Sequence, residues 1–318
     1  WSLTPVAERA NALRRIAAAL RDQEQPLARA ISREVGIPRK LAAPIQGGAP
    51  LAAWDMYAAL AAGFEWESRI GHSLVQQVPV GVVACITPWN YPLHQITGKV
   101  APALLAGCTV VLKPSEIAPT SAFALARAIH QAGLPPGVFN LVHGSGPEIG
   151  AALVRHPGVD MVSFTGSTRA GREIAAAAGA DIKRVALELG GKSAALVVPG
   201  ADLAAAVKGP LARCLLNSGQ TCSATTRLLV PREALAETEA IISALLEGFA
   251  MGHPADGATR LGPLASRAQQ RKVFRSSHLR GDRPEWVDDG GAQRHQRQRR
   301  GQLGSEEVVL ALVFRHSL

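Results

Sequence analysis

Cysteine is scarce in this sequence, and the little there is follows no pattern. Four cysteines with no Cys-x-x-Cys and no regular spacing make neither a disulfide framework nor a zinc site. No metal is expected, and a reducing cytoplasm is the expected compartment. Tyrosine is scarcer still, at two residues, and no base-stacking motif is present. The formal charge of +9 is scattered along the chain rather than gathered into one face, so nucleic acid is not expected as a partner. Only seven of the 34 basic residues are lysine, an Arg and Ala bias that reads as coding-sequence composition. Long apolar runs are missing too. None approaches the roughly 20 residues that a helix needs to cross a bilayer, so no membrane association is expected. No signal peptide is visible, and the chain starts at Trp1 without Met, as if within a domain.

What is present suits a folded chain of two domains. The sequence has 318 residues, 47% of them hydrophobic and 19% charged, enough to bury a substantial core. The first sixty-odd residues read as helices. Thr4-Pro5 looks like an N-cap followed by proline at the first helical position. Val6, Leu13, Ile16, Ala17 and Leu20 recur at helical spacing. Helices are predicted over about 25–35 and 49–64. From Val75 to Ile86 the pattern alternates and is rich in valine, predicting one or two strands. Strands are then predicted at 109–112, 138–142, 161–165 and 185–189, alternating with helices at 120–131, 147–154 and 170–178. That alternation is the signature of a parallel sheet with crossover helices. Its strands end in Gly, Pro, Ser, Thr and Asn, where such sheets place ligands. Beyond Gly190 a second block begins, with strands at 194–198 and 227–230 and helices at 202–216 and 233–249. No internal repeat is found.

Five segments carry chemistry. Cys222 ends the run Asn217-Ser218-Gly219-Gln220-Thr221-Cys222, the one cysteine set among small and polar residues; Cys85, Cys108 and Cys214 have apolar or small neighbours and read as core. A thiol attacks carbonyl carbon as its thiolate. Glu188, in Leu187-Glu188-Leu189-Gly190-Gly191-Lys192-Ser193, is a carboxylate able to activate water. Asn90 is held between Pro88 and Pro92, and a side-chain amide so fixed can donate to a developing oxyanion. Lys113 and Glu116 follow a buried strand, where a doubly wound sheet binds a nucleotide. An acid there accepts both ribose hydroxyls and repels a 2′-phosphate, which favours NAD over NADP. Finally, Gly166 and Gly171 mark a strand-to-helix turn with Gly-x-x-x-x-Gly spacing, whose helix start can receive a pyrophosphate. The phosphate-loop pattern fails at Gly190-Gly191-Lys192-Ser193, because its first glycine would fall on Ala186.

With these segments in order, the chain resembles the NAD(P)-dependent aldehyde dehydrogenases from about Trp1 to Val273. The resemblance implies the fold class: α/β, with a Rossmann-type parallel sheet domain and an incomplete α/β catalytic domain. It implies Cys222 as nucleophile, Glu188 as the base for deacylation, and the Asn90 side chain with the Cys222 backbone N–H as oxyanion hole. Lys113 and Glu116 match the contacts to the adenosine ribose. Ile86, Thr87, Pro88 and Trp89 line the cofactor cleft in relatives, while Gly146, Gly150, Phe164, Gly166, Ser167 and Leu189 fall where relatives meet the cofactor. Lys99 matches a lysine placed in proton relay. The implied reaction is oxidation of an aldehyde to an acid with NAD+ through a cysteine thioester, on a small-molecule substrate. Relatives form homo-oligomers, partly through pieces absent here. A Glu-x-Phe-Gly-Pro motif that holds the nicotinamide ribose in relatives is also absent, and Glu306-Glu307 does not replace it.

The expected organisation is an NAD-binding domain over 1–189, the first part of a catalytic domain over 190–273, and an aberrant or disordered tail over 274–318. That tail lacks apolar periodicity between Arg275 and Arg300 and carries a Gln/Arg-rich run, which suggests a shifted reading frame near residue 274. The competing expectation is an inactive truncated remnant of such an enzyme.

Overall fold

The computed structural model describes residues 1–278 and 310–313. Contacts divide the chain into two compact units. One holds Trp1–Leu189 with His253–Gly257, and the other holds Gly190–Gly252 with the described residues from Ala258 onward.

The first unit opens with α1 (Val6–Arg21), α2 (Glu24–Val35), α3 (Arg39–Ala42), a π-helical segment Ala43–Gly48, and α4 (Ala49–Gly63). Leu13, Ile16, Ala17 and Leu20 of α1 are fully buried, as their helical spacing predicts. The start of α1 differs from expectation. Pro5 is the cap rather than the first helical residue, and no side chain caps the helix. The reason is that the Pro5 carbonyl already receives Glu8 N and Arg9 N, while Thr4 offers its carbonyl, not its hydroxyl, to the buried Arg9 guanidinium. A short hairpin follows, β1 (Glu67–Ile70) against β2 (Ser73–Gln76). The alternating stretch up to Ile86 is thus divided: β2 ends at Gln76, and β3 starts only at Val82.

From there strands and helices alternate: β3 (Val82–Ile86), α5 (Pro92–Leu105), β4 (Thr109–Lys113), α6 (Thr120–Gln131), β5 (Phe139–Leu141), a π-helical Gly146–Gly150, α7 (Ala151–Arg155), β6 (Met161–Gly166), α8 (Thr168–Ala180) and β7 (Arg184–Leu189). The sheet is parallel throughout, in the order β5-β4-β3-β6-β7. Both faces are covered, which explains the nearly continuous apolar strands. Along β3, Val83 and Cys85 enter one core with α5 and α6, and Ala84 and Ile86 enter the other with Val162 and Ala178, the period-two alternation of a strand. The strand order reverses at β3, so its carboxyl end and that of β6 flank the switch point where ligands of such sheets bind.

The second unit holds β8 (Ala194–Leu196), α9 (Leu203–Leu215), β9 (Arg227–Val230), α10 (Leu235–Glu247), α11 (Arg267–His278) and β10 (Leu310–Val313). Its sheet runs β10-β9-β8, with β9 parallel to β8 and antiparallel to β10. Val197, Val207, Leu211, Leu228, Val230 and Ile242 form its core. Asp202 caps α9 by accepting from Ala205 N at 3.2 Å.

Two features depart from the domain limits expected from sequence. Residues His253–Gly257 belong to the first unit, since the Pro254 carbonyl accepts from Arg39 N and the Gly257 carbonyl from Lys40 Nζ. Within the segment expected to be aberrant, α11 continues to His278 and the apolar Leu310–Val313 pairs along β9. The rest of that expected tail lies outside the described residues. Among those described, no helix is long and apolar enough to cross a membrane.

Candidate active site

The carboxyl ends of the parallel strands surround a cavity of about 550 Å³, lined by Ile86, Glu116, Gly146, Gly150, Phe164 and Arg169 among others. Its walls come from β3, the turn after β4, the π-helical segment, α7, β6 and α8. Lys113, at the end of β4, is buried, and its Nζ lies 3.4 Å from Glu116 Oε2 on a half-exposed carboxylate. Glu116 lines the cavity and keeps acceptor capacity. Two buried hydroxyls, Thr87 Oγ1 and Thr165 Oγ1, have no hydrogen-bond partner among the described residues. They sit at the ends of β3 and β6, the two strands at the switch point. A buried polar group left unpaired costs about 1–3 kcal/mol, though neither hydroxyl lines this cavity. A dinucleotide fits the half-exposed Glu116 acceptor on the cavity wall and this position in the sheet.

The Gly-x-x-x-x-Gly turn explains itself sterically. A Cβ on Gly166 would strike the Phe164 ring, and one on Gly171 would come 2.6 Å from Leu189 Cδ2. Gly171 lets α8 pack closely on β7, the role of the third glycine in dinucleotide folds. Ser167 caps α8 by accepting from Ala170 N at 3.3 Å. Thr87, Pro88, Trp89, Lys113, Gly166, Ser167 and Leu189 lie off the lined cavity; Leu189 packs against α8 instead.

Asn90 follows β3, is 2% exposed, and receives Gln46 Nε2 on its backbone carbonyl at 2.9 Å. Glu188 is exposed on β7, in register with Thr165. Lys99, on α5, is 9% exposed and donates to Ser163 Oγ at 3.2 Å. Burial pushes the Lys99 ammonium below the ordinary lysine range, against the opposing pull of Cys85 and Glu188.

In the second unit, Cys222 is half-buried while the other three thiols are buried. The loop before it is unusual: Asn217, Ser218 and Gly219 are all left-handed, with φ of 54°, 56° and 77°. Side chains brace it on several sides. Ser218 Oγ donates to Gly262 O at 2.8 Å, Gln220 Oε1 accepts from Ala265 N at 2.9 Å, and Thr221 Oγ1 donates to Leu216 O at 3.1 Å. Gly191 approaches closely as well; a Cβ there would stand 3.1 Å from Cys222 O. The thiol is thus carried on a fixed loop able to present a nucleophile.

Sequence reasoning missed Gln46, Ser163 and Thr165. Thr165 was within reach, since it immediately precedes Gly166 at a strand end; the other two gave no local signal.

The comparisons bear on this geometry. An Aldehyde dehydrogenase family profile matches residues 1–303, thirty residues beyond the stretch marked by the motifs. A 3-succinoylsemialdehyde-pyridine dehydrogenase of a Pseudomonas species is 48% identical over 274 residues, covering 86% of this chain and 57% of that protein. The geranial dehydrogenase of Castellaniella defragrans is 42% identical, covering 92% and 62% respectively. In structure, Aldehyde Dehydrogenase C from Pseudomonas syringae, a cysteine-to-alanine variant solved with NAD+ and octanal, aligns with a TM-score of 0.84 at 46% identity, over 86% of this chain and 56% of that one. The chain therefore spans less than two thirds of the length of these relatives.

Proposed function

Because the chain belongs to the aldehyde dehydrogenase family, we propose that it oxidises an aldehyde to a carboxylic acid, with NAD+ as hydride acceptor and Cys222 as nucleophile. The observation that carries the proposal is the placement of that thiol. Of four cysteines it alone is outside the core, on a loop whose left-handed backbone is braced by Ser218, Gln220 and Thr221.

The roles follow from the chemistry. The Cys222 thiolate adds to the carbonyl carbon, forming a C–S bond and leaving charge on oxygen. The Asn90 side chain and the Cys222 backbone N–H donate to that oxyanion. Bound NAD+ supplies the acceptor for the hydride that departs from the same carbon, and the C=O re-forms as a thioester on Cys222. Glu188 takes a proton from water as the water oxygen attacks the thioester; the C–S bond breaks and the thiolate returns. Aldehyde, NAD+ and water thus yield acid, NADH and a proton. Glu116 accepts the ribose hydroxyls, held by Lys113, and favours NAD over NADP. Residues 1–189 form the NAD-binding part and those after 190 begin the catalytic part. The partner is a small-molecule aldehyde, and the unpaired thiols suit a reducing cytoplasm.

The test is NADH formation with a panel of aliphatic and aromatic aldehydes. Turnover lost in Cys222→Ala supports the proposal; turnover that survives the substitution overturns it. One observation favours a second reading, an inactive remnant: Leu196 and Val198, in and just after β8, are 64% and 57% exposed. Absence of turnover together with strong ANS binding favours that reading.

A further inference from the structure

We infer that Gln46 is a positioning residue for Asn90, its side-chain amide fixing the backbone from which the oxyanion-binding amide projects. The inference rests on the role proposed above for Asn90.

Gln46 is fully buried, within the π-helical segment Ala43–Gly48. Its Nε2 donates to the Asn90 carbonyl at 2.9 Å, across 44 positions of sequence. Its Oε1 has no hydrogen-bond partner among the described residues. An amide buried with an acceptor unpaired is destabilising. An apolar side chain of similar volume would fill the space without that penalty, so packing does not account for a glutamine here. The donated bond does.

The bond matters because of what it fixes. Pro88 and Pro92 restrict the chain on either side of Asn90, but proline supplies no N–H to anchor it. Holding the Asn90 carbonyl sets the peptide plane between residues 90 and 91, and with it the Cα from which the Asn90 side chain starts. The scaffold behind Gln46 is firm. The π-helical segment runs directly into α4, whose Trp54 Nε1 donates to Thr97 Oγ1 on α5 at 3.1 Å. Two buried bonds thus tie one stretch of chain to both sides of Tyr91–Ile96. π-helical turns occur often at functional sites, and a displacement of about 1 Å at a catalytic group can cost on the order of 10² in rate.

The experiment is a cycle of four proteins: the parent chain, Gln46→Met, Asn90→Ala and the double variant. Each is read by the rate of the NADH burst and by the KM for hexanal and NAD+. Gln46→Met should slow the burst by about tenfold with both KM values unchanged, and should add nothing in the Asn90→Ala background. A parent-like burst in Gln46→Met, or losses that multiply in the double variant, would overturn the inference. An unchanged burst in Asn90→Ala overturns the oxyanion role, and no burst in the parent overturns the proposed function; the inference falls with either. Labelling with ¹³C′-asparagine and ¹⁵N-tyrosine keeps these failures apart. Asn90-Tyr91 is the sole Asn-Tyr step, so a single carbonyl signal reports the bond without turnover. It should move upfield in a folded Gln46→Met protein, and an unmoved signal counts against the contact itself.

Discussion

Lys99 donates to Ser163 Oγ at 3.2 Å from a position only 9% exposed. A cation is therefore held between α5 and β6, directly behind the strand ends that form the proposed site. Burial lowers its pKa, while Cys85 and Glu188 oppose the shift.

This shift has a direction in stability. The folded chain releases the Lys99 proton at a lower pH than the unfolded chain, whose lysine titrates near 10.5. Between those two values the unfolded state binds more protons, so stability attributable to Lys99 rises with pH. Below the folded pKa the penalty is constant. Urea unfolding from pH 7 to 10 should show Lys99→Met lacking this rise relative to the parent. Parallel curves for the two proteins would refute it. Cys85, pushed up to about 12 by burial, gives a slope of opposite sign above pH 9 in both proteins, undiminished in Lys99→Met because Lys99 opposes the Cys85 shift.

Thiol reactivity gives a check that needs no substrate. Burial raises Cys85 to about 12 and Cys214 to about 11, and Cys108 is buried as well. The folded protein should therefore show one fast thiol toward an aromatic disulfide at pH 8, lost in Cys222→Ala. Two or more fast thiols would contradict the arrangement.

Removing the proposed base should separate the two halves of the proposed reaction. Glu188→Gln is expected to keep the NADH burst and to lower steady-state turnover by about 10²–10⁴. Equal loss of burst and steady state would place Glu188 in the first half instead.

Cofactor choice should turn on Glu116. Glu116→Ser removes the charge proposed to repel a 2′-phosphate and leaves the Lys113 ammonium. The preference for NAD over NADP should fall by about tenfold, equivalent to roughly 1.4 kcal/mol, measured as the ratio of kcat/KM values. An unmoved ratio would show that another group discriminates.

Much of this architecture could be read from residue patterns, and the gaps have physical causes. Buried parallel strands such as Thr109–Lys113 announce themselves because both faces demand apolar, β-branched residues. Helix α5 did not, since Pro92, Gly98 and Pro102 look like breakers; Pro92 is in fact the first helical residue. The hairpin β1–β2 is short and mostly exposed, so it carries little hydrophobic signal. The two π-helical segments depend on tertiary packing and have no sequence code. The same division holds at the site. Cys222, Glu188 and Asn90, the residues proposed for catalysis, stand in local motifs, whereas Gln46 and Ser163 meet partners 44 and 64 positions away, which a linear reading does not bring together.

The wound backbone at Asn217 and Ser218 sets a ceiling on how this protein can be improved. Each non-glycine residue in that conformation stores about 1–3 kcal/mol, and glycine at either position would release it. Such replacements would also delete the Ser218 Oγ bond to Gly262 O or the buried Asn217 Nδ2 bond to Gln220 O, and would give the support of Cys222 more ways to move. Relief of backbone strain and loss of bracing would then oppose each other at the same two positions.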